Sequence, residues 1–167
     1  GSSRAGLELL LNSELGEHLT AAERESLIQA HQKPKPRLDV LEHLWKVNRG
    51  SRVAGMDSSD GLADAVVQIC RLSGVGAEIE RNAIPISPAL LQLVSPEQAL
   101  EWALYGGEDF ELVFCLPEKP AQALVGRLGE GSAIIGKITA RQKVELIDSS
   151  GVYSKWVLTL EEGFQHF

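Results

Sequence analysis

A chain of 167 residues, 44% hydrophobic and 23% charged, has the size and composition of one globular domain that buries its own core. Its formal charge of −7 argues against a nucleic-acid or anionic-membrane partner, since phosphate binding without intervening metal needs surplus Lys and Arg. No apolar run approaches the ~18 residues of a bilayer span, and the first residues lack a basic-then-apolar leader pattern.

Cys70 and Cys115 lie far apart in the apolar runs "VVQICRL" and "ELVFCLP". They read as buried small hydrophobes, neither disulfide nor ligand pair, so a reduced, cytoplasmic setting is expected.

In chain order, "SRAGLELLLN" predicts a helix with Ser3 as its cap. Thr20 to Glu23 forms a T-x-x-E capping box that opens a second helix to about Gln32, where "KPKP" stops it. "RLDVLEHLWKVN" places Leu38, Leu41, Leu44 and Trp45, with Val40 beside them, at helical spacing. "RVAGM" is a short strand. Leu62, Val66, Ile69 and Ser73 then mark one helical stripe closed by Gly74.

"GAEIERN" alternates like a half-buried strand. Ser87-Pro88 and Ser95-Pro96 each start a helix, the second ending at Gly106-Gly107. "FELVFCL" is a strand, "PAQALVGRLG" a helix, and "SAIIGKIT", "KVELID" and "VYSKWVLTL" are strands, with a turn at "DSSG" and an aromatic tail, "GFQHF". Short turns between the late strands force antiparallel pairing, so the expected class is α+β with helices covering a mixed sheet. "GVGAE" is too short for a dinucleotide fingerprint.

Two bends carry chemistry. In "GMDSSDGLAD", Asp57 and Asp60 flank Ser58 and Ser59 just before Gly61. One reading is structural: Ser59 or Asp60 caps the following helix. The other is a phosphate cradle at a helix N-terminus, where two carboxylates repel the anion unless a hard cation intervenes. Mg²⁺ suits this, because it takes one or two carboxylates and shares phosphate oxygens. In "LYGGEDFEL", paired glycines precede Glu108 and Asp109. They read either as a helix stop with solvated acids or as a close approach for a ligand.

His18, His31, His43 and His166 have no metal-ligand spacing, and Ser, Cys and His show no triad-like grouping, so no covalent catalytic residue is expected. Phe164 and Phe167 read as core plugs or as a stacking wall for a flat ligand.

"AGMDSSDGLAD", "GGEDFELVF", "IIGKI" and the closing "GFQHF" resemble the C-terminal half of the thiamine-monophosphate kinase family. That family belongs with AIR synthetase, selenophosphate synthetase and a hydrogenase-maturation protein. The opening "GSSRAGL" is similar to the family's domain-junction segment, so the resemblance covers essentially the whole chain.

It implies one C-terminal AIR synthetase-like domain over residues 1–167, a largely antiparallel mixed sheet in α/β/α layers, with the family's N-terminal ATP- and Mg²⁺-binding domain lying outside this chain. By the same resemblance the full enzyme moves the ATP γ-phosphate to thiamine monophosphate, giving thiamine diphosphate and ADP, and is a homodimer. Asp57 and Asp60 would be Mg²⁺ ligands, Ser59 would contact ATP, and Glu108 and Phe164 would contact the thiamine substrate; Asp109 receives no role. The fragment alone is expected to be inactive. Two other readings stand beside it: a selenophosphate or aminoimidazole ribotide synthetase, and a non-catalytic nucleotide- or ligand-binding domain.

Overall fold

The computed structural model describes residues 1–12, 14–48, 50 and 52–160. The first half of the chain gives α1 (Ser2–Leu11), α2 (Ala21–Gln32), α3 (Asp39–Val47), β1 (Ala54–Asp57), α4 (Leu62–Ser73) and β2 (Gly76–Glu80). After a 3₁₀ turn at Arg81–Ala83 come α5 (Pro88–Leu93), α6 (Pro96–Tyr105), β3 (Leu112–Cys115), α7 (Glu118–Leu128), β4 (Gly136–Thr139), β5 (Val144–Ile147) and β6 (Trp156–Val157).

Local chemistry sets most of these boundaries. Thr20 and Glu23 make the full reciprocal capping box on α2. The Ser87 and Ser95 hydroxyls accept from Leu90 and Gln98 N–H at 3.2 Å each, with proline in the first turn of α5 and α6. Gly74 closes α4 at φ +66°, a conformation only glycine adopts without Cβ strain.

The strands divide between two sheets. β1 and β3 form an antiparallel pair, with Asp57 opposite Leu112. The second sheet has the order β4-β2-β5-β6; β2 and β5 are parallel and the other two pairings antiparallel. The expected α+β class and mixed sheet hold, and β5 and β6 pair antiparallel as expected, but the short turn from β4 to β5 does not pair those two, because β2 lies between them; the separation of β1–β3 from the larger sheet is an addition.

In β2, Ala77 and Ile79 point into the core while Glu78 faces Lys137 of β4 in an ion pair at 2.9 Å, the period-two alternation of a sheet with one polar face. Ala77, Ile79, Val144 and Leu146 meet Ala63, Val66 and Cys70 of α4 and Leu100 and Leu104 of α6 in one core cluster. A second cluster joins Ala5 and Leu9 of α1, Leu27 of α2, Leu90 and Leu93 of α5 and Ala99 of α6. α6 is therefore shared, packing different faces into both clusters. Both thiols are free, Cys70 buried and Cys115 half-buried, and burial pushes both thiols upward in pKa.

Two expectations change, and one apolar stripe lies outside the core. Ser3 does not cap α1; it sits inside the helix, fully buried, with its hydroxyl 3.0 Å from His31 Nδ1. The α3 stripe is not core: Leu38 is 69% and Trp45 74% exposed, and only Val40 of this helix is buried. The last strand shrinks to two residues because Asp148 gathers the chain ahead of it. Its carboxylate accepts from the backbone N–H groups of Ser150, Val152 and Tyr153, each at 2.9 Å, and those donors are then lost to a ladder.

These bonds, led by the one from the Ser150 hydroxyl, hold the Asp148 carboxyl down at about 2, against 3.8 ordinarily. A depressed carboxylate stabilises the loop fully above 3.8 and stops doing so as the pH falls through 2. The Val152 and Tyr153 amide resonances are therefore expected to titrate together in NMR with an inflection near 2. An inflection at the ordinary value would contradict the assignment.

Candidate functional site: two acidic bends laced together

β1 ends on Asp57, an exposed residue whose backbone is still paired to β3. The chain then turns sharply. Ser58 is buried, and its amide donates to Glu111 O at 2.9 Å. Its hydroxyl donates to Asp109 O at 2.8 Å. Gly61 N–H closes the turn on Ser58 O at 2.9 Å.

One step along, Glu108 N–H donates to Ser59 O at 2.6 Å. The bends at 57–61 and 107–111, fifty residues apart in sequence, are thus joined by bonds that alternate from one to the other. Such a lace fixes the backbone from which Asp57, Ser59, Asp60 and Glu108 project.

α4 starts from this elbow on a glycine. Its N-cap is Gly61, at φ +106°, and no side-chain cap bond is present. A Cβ at Gly61 would lie 2.7 Å from Leu104 O, so glycine is required both by conformation and by the close approach of α6. Gly61, and neither Ser59 nor Asp60, holds the N-cap position. Where Thr20, Ser87 and Ser95 cap their helices with their own side chains, α4 opens on a glycine N-cap just after the acidic elbow, and a helix N-terminus is a position that favours an anion.

Glu108 has φ +69°, the only positive φ outside glycine among the described residues. A non-glycine residue held there costs ~1–3 kcal/mol and persists only where its surroundings over-determine it. Asp109 is part of those surroundings. Its Oδ1 accepts from Ser3 N–H at 2.9 Å, so the acid caps α1 from 106 positions away in sequence. Arg37, just ahead of α3, reaches Asp39 at 3.1 Å and pairs with Glu111.

Nothing local in the sequence marks Asp109 as a cap, because its partner belongs to the first turn of another helix. Phe164, expected at the substrate, lies outside the described residues, as do His166 and Phe167.

Asp57 and Asp60 offer hard oxygen donors on one turn, which fits a Mg²⁺ ion that draws its other ligands from water and phosphate. Among the described residues no three His, Cys, Asp or Glu side chains converge as a self-sufficient metal cage. Two surface depressions, of about 360 Å³ at the β2–β4 edge and 290 Å³ between α4 and β5, are lined by other residues.

Residues 2–149 match the family described as AIR synthase related protein, C-terminal domain. The chain belongs to that family. The AIR synthase-like domain is 48% identical over 171 residues to a thiamine-monophosphate kinase of Synechococcus elongatus, covering 100% of this chain and 49% of that protein. It superposes on the thiamine-monophosphate kinase of Stenotrophomonas maltophilia K279a with a TM-score of 0.73 at 30% identity, over 87% of this chain and 46% of that one. A structure described as AaThiL complexed with AMPPCP and TMP gives 0.66 at 31% identity, over 95% of this chain and 48% of that one. The chain spans about half the length of the relatives it matches. Among the described residues no helix is long and apolar enough to cross a membrane.

Proposed function

We propose that residues 1–167 are the C-terminal domain of a cytoplasmic thiamine-monophosphate kinase, which moves the ATP γ-phosphate to thiamine monophosphate and releases thiamine diphosphate and ADP. The observation that carries this reading is the elbow itself. Its two carboxylates stand just ahead of a helix whose N-cap is glycine, laced to the bend that holds Glu108. Likeness to a chain complexed with AMPPCP and TMP supports the two ligand classes.

Phosphoryl transfer asks little covalent chemistry of a protein; it asks for aligned oxygens and compensated charge. Asp57 and Asp60 hold Mg²⁺, which when bound neutralises phosphate charge against the acidic elbow. Ser59 orients the nucleotide, and Glu108 and Phe164 orient the thiamine substrate. The site is completed by the family's N-terminal half, and the full enzyme is a homodimer. Leu38, Leu41 and Trp45, exposed on α3, give that half an apolar face to pack on. Such a face, left bare, is uncommon on a monomer.

The test is formation of thiamine diphosphate from thiamine monophosphate and ATP by the full-length protein, with and without Mg²⁺. Turnover is expected to need the metal and to be absent from the 167-residue chain alone. Glu108→Gln is expected to raise KM for thiamine monophosphate about tenfold or more while kcat changes less, the pattern of a lost ground-state contact. A full-length protein that binds nucleotide but never forms thiamine diphosphate would leave the domain as a binding module.

A further inference from the structure

In the "GGEDFEL" bend the Asp109 side chain reaches α1. Its Oδ1 accepts from Ser3 N–H in the first turn of that helix at 2.9 Å. The helix it closes is itself fixed: Ser3 is fully buried, its hydroxyl meets His31 of α2, and Gly6 lies close against Leu27 O. The carbonyl of Asp109 meanwhile accepts the Ser58 hydroxyl. One residue thus links the rigid α1–α2 pair to the acidic elbow, and its immediate neighbour Glu108 is the residue held at φ +69°.

A left-handed Glu needs an anchor on at least one side. On its amide side Glu108 donates to Ser59 O; on its carbonyl side the anchor is Asp109. We propose that Asp109 is a positioning residue: by capping α1 it locks Glu108 in its left-handed conformation and so sets the register between the Glu108 bend and the Asp57–Asp60 elbow. The geometric part of this stands on the fold alone. Its consequence for substrate binding rests on the kinase reading above.

The experiment uses the full-length protein carrying Asp109→Ala, Asp109→Glu or Asp109→Asn. Asparagine keeps an Oδ1 that accepts from Ser3 N–H. Alanine removes the acceptor, and glutamate carries it a methylene too far. In hydrogen-exchange mass spectrometry, the Ala and Glu variants are expected to exchange residues 107–111 and 58–61 about tenfold faster than wild type, with peptides of the α4–α6 core unchanged. The Asn variant is expected to stay within about twofold of wild type.

Should the Ala variant fail to fold, the Asn–Glu pair still decides. Ala or Glu variants as protected as wild type, or an Asn variant as loose as either, would overturn the proposal. In the kinase assay the Ala and Glu variants are expected to show a raised KM for thiamine monophosphate, rescued by Asn. A full-length protein without kinase activity would defeat the functional reading while the exchange data still judged the lock.

Discussion

Asp57→Asn and Asp60→Asn in the full-length enzyme are each expected to lower kcat at least about a hundredfold, near 2.7 kcal/mol of transition-state stabilisation. Asparagine keeps the size and an oxygen but loses the charge that holds a hard cation, so steric disturbance is small and the electrostatic loss is large. Asp57 is exposed at the end of β1, and its replacement should leave unfolding stability within about 0.5 kcal/mol of wild type.

A purely structural elbow predicts the opposite pattern: turnover kept and stability reduced. Raising Mg²⁺ is expected to recover part of the lost rate, since a weakened site fills at higher metal concentration. Variants that turn over at the wild-type rate would remove both residues from the metal assignment.

What the sequence made legible follows the range of the interactions involved. The capping box at Thr20–Glu23, the Ser-Pro starts of α5 and α6 and the Gly74 stop are set within about four residues, and all stand where the sequence places them. Both chemical bends were also legible, since each is a contiguous string of glycine, hydroxyl and acid.

The lace between the bends was not. It depends on Ser58 meeting Glu111 and Glu108 meeting Ser59, pairings that only the β1–β3 register creates. Ser3 misled for a related reason. A serine at the start of a leucine-rich run has the form of a cap, yet the donor at that helix end is taken by Asp109 and the hydroxyl is turned to His31. β6 failed through local competition, its alternating pattern yielding to an Asp148 carboxylate that offers the same amides a nearer acceptor. The α3 stripe has true helical periodicity but faces away from this chain's core, and periodicity says nothing about which chain provides the cover.

Leu104→Ala is expected to cost ~3–5 kcal/mol, the upper part of the range for deleting a buried leucine. Leu104 is 0% exposed and lies in the cluster where α4 and α6 cover the larger sheet. Truncation forfeits transfer energy and leaves a cavity whose walls are β-sheet and two helices, which relax little. Against a total stability of ~5–15 kcal/mol for an ordinary domain, that loss approaches unfolding, and a large drop in the urea midpoint is the expected readout.

The same residue also reaches the elbow, for its carbonyl oxygen lies 2.7 Å from where a Cβ on Gly61 would stand. Gly61→Ala tests that approach from the other side, adding one methyl against backbone at a φ that alanine avoids. It is expected to cost at least ~1–3 kcal/mol. The two substitutions probe one contact between core and site: Leu104→Ala withdraws support from beneath α4, and Gly61→Ala pushes α4 off it. Kinase activity should therefore fall in both variants even at temperatures where each remains folded. If Leu104→Ala shifts stability by under ~1 kcal/mol, α6 is not the helix that seats the elbow.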